Sequence, residues 1–117
     1  MGKINLRTVL VSDDENLDLK LTGIKTKNKI IYKENNITVT ILCLNNRIEM
    51  NRCCSEYKIN LIFEKGKKTI STYSVFGAPK IFELETITKK LELDEKEIKI
   101  EYELEGNNFS YSLFIGG

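Results

Sequence analysis

Three observations predict an all-β chain. Apolar and polar residues alternate with a period of two, turn residues recur at roughly 8–13-residue intervals, and no connection has room for a crossover helix. Strands that follow one another so closely pair as an antiparallel meander. So many of them in 117 residues must curl into a barrel or split into a sandwich. Consecutive hairpins favour the barrel, which leaves no strand edge unpaired. The expectation is a single domain over residues 1–117, an antiparallel meander β-barrel of about eight to ten strands.

The elements follow in order. Ile4, Leu6, Thr8 and Leu10 begin the first strand, which ends at the acidic turn Ser12-Asp13-Asp14-Glu15-Asn16. Leu17, Leu19 and Leu21 alternate with Asp18, Lys20 and Thr22 in a second strand closing at Gly23. Lys25, Lys27 and Lys29 lead into Ile30-Ile31-Tyr32-Lys33, and Asn35-Asn36 is a turn pair. Ile37, Val39, Ile41 and Cys43 mark the next strand, Asn45-Asn46 breaks it, and Arg47 to Arg52 is a short alternating piece. Cys53 to Glu56 reads as a connection before Tyr57, Ile59, Leu61 and Phe63, which run to the tip Lys65-Gly66-Lys67. Thr69 to Val75 is rich in β-forming residues and stops at Gly77-Ala78-Pro79.

Lys80 to Leu93 carries two signals. Leu84, Ile87 and Leu91 have helical spacing, while Phe82, Leu84 and Thr86 alternate with Glu83 and Glu85; the alternation and the lack of an N-cap box favour a strand. Asp94-Glu95-Lys96 turns the chain into a closing hairpin. Ile98, Ile100, Tyr102 and Leu104 are followed, after a Gly106-Asn107-Asn108 tip, by Phe109, Tyr111, Leu113 and Ile115.

Composition limits function. Hydrophobic content of 41% with 30% charged residues suits a soluble globular protein, and a net charge of +1 points to neither nucleic acid nor an anionic membrane. No apolar run approaches the roughly 20 residues of a membrane-spanning helix. Met1-Gly2-Lys3-Ile4 passes straight into an alternating segment, and three cysteines without an export signal imply free thiols in a cytoplasmic protein. The chain has no histidine. That removes the commonest general base and the usual metal ligand, so neither cofactor nor metal is expected.

Tyr32-Lys33-Glu34, then Arg52, then Tyr57 to Phe63 closing at Gly66, then Gly77 before the strand ending Glu85-Thr86, form a spaced series of short matches. It continues through Leu93-Asp94-Glu95 into Ile98 to Tyr102 and the strand Phe109 to Gly117. This pattern resembles the YwiB-like bacterial proteins over nearly the whole chain. The resemblance implies a small meander barrel similar to lipocalins and other calycins, in a family without an assigned activity. This sequence is shorter through its first strands and has Cys53-Cys54 where the family tends to have a glycine turn.

Tyr32 and Glu34 are two apart and so share one side of a strand. If that side is the lumen, Arg52 pairs with Glu34, and carboxylate, guanidinium and phenol together would orient a small ligand at a barrel mouth. Tyr32, Glu34, Arg52 and Tyr102 are therefore the candidate ligand-binding residues, against the plainer reading of a structural ion pair. Vicinal Cys53-Cys54 and the apolar-beat Cys43 read as inert. The lysines at 65, 67 and 68 and at 25, 27 and 29 read as solvated turns, because the aromatics sit on core beats.

Two functional classes lead. One is a binding module for a small, largely apolar ligand in the lumen, favoured by a cavity of at least roughly 300 Å³ and ruled out by a packed lumen. The other is a structural or protein-interaction domain, a homodimer joined through strand edges or through off-beat Phe76, Phe114 and Ile62. An enzyme with Glu34 as base and Arg52 as electrostatic stabiliser is the least supported.

Overall fold

Ten strands follow one another with no helix among the described residues, which are 2–116 of the computed structural model. They are β1 (Gly2–Ser12), β2 (Asn16–Lys25), β3 (Lys29–Glu34), β4 (Ile37–Leu44), β5 (Arg47–Cys53), β6 (Tyr57–Glu64), β7 (Lys68–Val75), β8 (Ile81–Leu93), β9 (Glu97–Leu104) and β10 (Asn107–Gly116). Each pairs antiparallel with its sequence neighbours, and β10 returns to β1 to close the barrel. The expected meander barrel is what the chain forms, and Lys80–Leu93 resolves as strand from Ile81 onward.

The alternation fixes which side chains fill the barrel. Val39 and Ile41 of β4, Ile48 of β5, Phe63 of β6, Ile98 and Ile100 of β9 and Leu113 of β10 all have 0% exposure. A water-sized void beside any of them would give it accessible surface, so the middle of the barrel is filled by its own side chains. Each such residue contributes about 1.5–3 kcal/mol of burial. The off-beat residues stay outside this core. Phe76 is exposed, Ile62 is half-buried, and the Arg7 guanidinium covers Phe114 at 5.7 Å.

Several boundaries differ from the expectation, each for a local reason. The last hairpin turns on Glu105-Gly106 rather than Gly106-Asn107-Asn108. Leu104 lies opposite Asn107, and Glu105 and Gly106 take φ of 49° and 83°. Two consecutive left-handed residues give a turn whose twist matches the strands it joins. Gly23 does not close β2 but sits inside it, opposite Ile4 on one side and Tyr32 on the other. Cys53 ends β5, opposite Thr38 and Lys58, instead of opening a connection.

The double signal in β8 has a structural cause. Thr88 lies opposite Tyr102 and Lys90 opposite Glu101, so Lys89 is an extra residue in a β-bulge. The bulge shifts the inward beat by one, from Leu84, Thr86 and Thr88 to Leu91, and this odd separation of Leu84 from Leu91, with the outward Ile87 between them, imitates helical spacing.

Three seams of the wall pair over only part of their length, β2–β3 and β8–β9 parting toward one mouth and β6–β7 toward the other. β1 and β2 pair over ten positions, from Gly2 opposite Lys25 to Val11 opposite Asn16, whereas β2 meets β3 only through Gly23–Lys25. β6 meets β7 only over Tyr57–Asn60, and beyond it side chains continue the ladder. The Ile62 N–H donates to the Ser71 hydroxyl at 3.0 Å, and the Thr69 hydroxyl donates to the Ile62 carbonyl. β8 begins at Ile81 but first pairs with β9 at Thr86.

Candidate functional site

At the mouth where β2 parts from β3 the inward beats of five strands bring polar side chains together. Tyr32 on β3 and Arg52 on β5 both lie opposite Val39 of β4, so they occupy one level of the barrel. Glu34 is two residues nearer the rim on the same face as Tyr32. Arg52 Nη2 donates to Glu34 Oε2 at 2.8 Å, with the two side chains 20% and 12% exposed. Every other ion pair among the described residues has at least one partner more exposed than either of these. Burial works against the Arg52 charge, but the adjacent Glu34 carboxylate outweighs it and the net shift of the guanidinium is upward.

Below the pair, the Tyr32 and Tyr111 hydroxyls meet at 2.8 Å and tie β3 to β10. Burial raises both phenols above their ordinary value, Tyr111 strongly. Tyr102, on β9, is pushed up by burial to about 12 and packs between Phe63 at 4.7 Å and Phe109 at 5.3 Å. At neutral pH all three phenols are therefore un-ionised hydrogen-bonding groups.

These residues line a recess of about 250 Å³ open at the mouth. Arg52, Glu34, Tyr102, Tyr111 and Thr8 supply its polar atoms, and Leu10, Leu17, Met50 and Leu61 its apolar walls, with Glu15 at the entrance. Glu34 takes one guanidinium N–H, which leaves further donors of the arginine for a guest. The arrangement can therefore both donate and accept hydrogen bonds in a recess of mixed polar and apolar lining.

Of the four residues anticipated from the sequence, Glu34, Arg52 and Tyr102 line the recess. Tyr32 stands behind it as the hydrogen-bond partner of Tyr111. Thr8 and Tyr111 were not anticipated. Thr8 carried a signal, a polar residue on the beat between Leu6 and Leu10 where it is 4% exposed. Tyr111 looked like any other core aromatic, because its level depends on the register of β10 against β1 and β9.

The remaining chemistry-bearing residues are dispersed. Cys43 faces inward near the opposite mouth, where burial pushes its thiol up, while Cys53 and Cys54 are half-buried free thiols. Among the described residues no group of three or more Cys, Asp or Glu is placed to hold a metal ion. Also among them, no helix is long and apolar enough to cross a membrane.

Residues 4–114 match the model of a domain of unknown function, DUF1934. The chain belongs to this family. The crystal structure of the YwiB protein from Bacillus subtilis is similar in fold, with a TM-score of 0.66 over 98% of this chain and 89% of that one at 19% identity. The YwiB-like resemblance read from the spaced matches is thus shown, and with it the lipocalin-like barrel. No curated protein matches the chain.

Proposed function

We propose that this DUF1934 protein is a binding module for a small ligand held in the recess at the Arg52 mouth. The observation that carries the reading is an ion pair placed on inward positions, in a recess that also presents the apolar side chains of Leu10, Leu17, Met50 and Leu61. Such a pair is costly to hold away from water, and a ligand that shares its hydrogen bonds gives it a use. Because the middle of the barrel is filled, the guest sits at the mouth rather than deep in the lumen. At about 250 Å³ the recess is slightly below the common range of roughly 300–1,000 Å³, so the ligand is compact. It carries one polar end for Arg52, Glu34 and Tyr102, and an apolar body for Leu10, Leu17 and Met50. The site has no obvious nucleophile and no histidine, which supports binding over catalysis.

Native mass spectrometry of protein purified gently from its own host tests this reading. Extra mass on the wild-type monomer, absent from Arg52→Leu, is the expected result. A bare wild-type monomer under the same conditions would overturn it.

A second reading, a protein-interaction module, is favoured by one specific feature. Phe76, Ile81 and Phe82 around the β7–β8 turn are 53%, 64% and 43% exposed.

A further inference from the structure

The closed barrel leaves the start of β8 unpaired on one side. β7 accompanies β8 from Ser74 opposite Ile81 onward, but β9 joins β8 only at Thr86. On the β9 side the Glu85 carbonyl accepts the Glu105 N–H at 3.0 Å, and the Glu85 N–H donates to Glu105 Oε2 at 2.6 Å. Backbone groups along a strand alternate in direction with a period of two. The N–H and C=O of Glu83 and of Ile81 therefore point the same way as those of Glu85, where no strand lies. Ile81 to Leu84 form an open edge four residues long.

The side chains along this edge state what would suit it. On the inward beat stand Phe82 and Leu84, with Tyr73 opposite Phe82 at 6.1 Å between ring centres. On the outward beat stand Glu83 and Glu85, joined by Glu105 from the β9–β10 turn. Lys68 meets Glu85 at 3.3 Å, whereas neither Glu83 nor Glu105 belongs to an ion pair among the described residues. One face of the edge is thus apolar, with the Lys80 ammonium 5.3 Å from the Phe82 ring centre at its rim, and the other carries exposed Ile81 beside Glu83 and Glu105, which have no cation of their own among the described residues.

We propose that the Ile81–Leu84 edge of β8 accepts an extended peptide strand from a partner protein, one whose apolar residues alternate with lysine or arginine. Pairing would engage the free backbone groups of Ile81 and Glu83, set apolar side chains against Phe82 and Leu84, and set basic ones against Glu83 and Glu105. A second copy of this chain fits poorly, because edge-to-edge pairing would bring two sets of these carboxylates together. The other long unpaired stretch, Asn16–Thr22 of β2, lacks this imbalance, since Asp18 there is held by Arg7 at 2.7 Å beside Lys20. The inference is independent of the recess reading.

The probe is a capped nine-residue peptide of alternating lysine and valine, added to the full chain and followed by amide hydrogen exchange. Binding is expected to slow exchange at the Ile81 and Glu83 amides by at least roughly tenfold at saturation. A copy of the peptide N-methylated along one edge should give no protection, and neither should a glutamate–valine peptide. Glu83→Lys, on the exposed outward face, should reverse the preference between the two charge patterns. Equal protection by the N-methylated peptide, or none from the lysine–valine peptide, would overturn the proposal. A dimer in sedimentation that Glu83→Lys strengthens or abolishes would overturn it in favour of a second copy.

Discussion

The hydroxyls of Tyr32 and Tyr111 meet at 2.8 Å although 79 residues separate them in the chain. Their bond joins β3 to β10 near the level where β2 has parted from β3. It therefore contributes closure where the backbone ladder is shortest. Truncating either to phenylalanine leaves the other hydroxyl without this partner, at a cost of about 1–2 kcal/mol. The double variant should lose less than the sum of the singles, and urea unfolding of the four-member cycle measures the difference.

The Arg52–Glu34 pair behaves in the same way, with charges in place of hydroxyls and correspondingly larger losses. Arg52→Leu strands a carboxylate that is 12% exposed, and Glu34→Leu strands the guanidinium. Each should cost about 2–3 kcal/mol, somewhat below a fully buried pair, while the double replacement should recover much of the loss. Thermal unfolding of the three variants reads the pattern, and three equal losses would contradict it.

Gly23 is a close-approach site. A Cβ there would meet the Ile31 carbonyl oxygen at 2.7 Å, Leu6 Cδ1 at 2.7 Å and Tyr32 Cβ at 3.2 Å. The backbone oxygen cannot move without disturbing the three-pair β2–β3 seam. Gly23→Ala should therefore destabilise the fold by about 1–3 kcal/mol and Gly23→Val by more, measured by denaturant midpoint.

Thr88 hides a hydroxyl with no hydrogen-bond partner, while its neighbour Thr86 shares a 2.7 Å bond with Ser71. Thr88→Val removes an unsatisfied polar atom at nearly constant shape and should stabilise by about 1 kcal/mol. Thr86→Val should do the opposite, because it removes one of the two partners of the buried Ser71 hydroxyl and leaves only the Ile62 N–H. Comparing the two midpoints separates the effects.

The buried phenols make the fold sensitive to base. Tyr102 titrates near 12 when folded against 10.0 when exposed, and Tyr32 and Tyr111 are shifted in the same direction. Between these values the unfolded chain has lost protons that the folded chain retains, so stability falls as pH rises. The contribution is intact below about pH 10 and declines progressively above it. Tyrosinate absorbance should show these three ionising late and together with unfolding. Early ionisation of all five tyrosines without unfolding would contradict the burial.

Most of the strand plan was legible in the sequence because a pleated strand has a strict period of two, visible in any half-buried segment. It failed where the backbone departs from that period. The Lys89 bulge shifted the beat of β8, and the Glu105-Gly106 turn put left-handed geometry on a glutamate, a residue that carries no such signal. Gly23 looked like punctuation because its real constraint is the approach of a neighbouring strand.

The candidate site was half legible. Tyr32 with Glu34, and Arg52 on the beat of Ile48 and Met50, already placed charge inside a barrel. By itself the sequence determined the strands and their inward faces, since these depend on local period and residue type. The Arg52–Glu34 pair it offered only on the condition that their side faces the lumen, which the register of β3, β4 and β5 then met. Tertiary structure alone decided that Tyr111 and Thr8 join this pair, that the middle of the barrel is filled, and that β8 keeps a free edge. Those outcomes depend on register and closure, which are set by pairings between segments far apart in the chain.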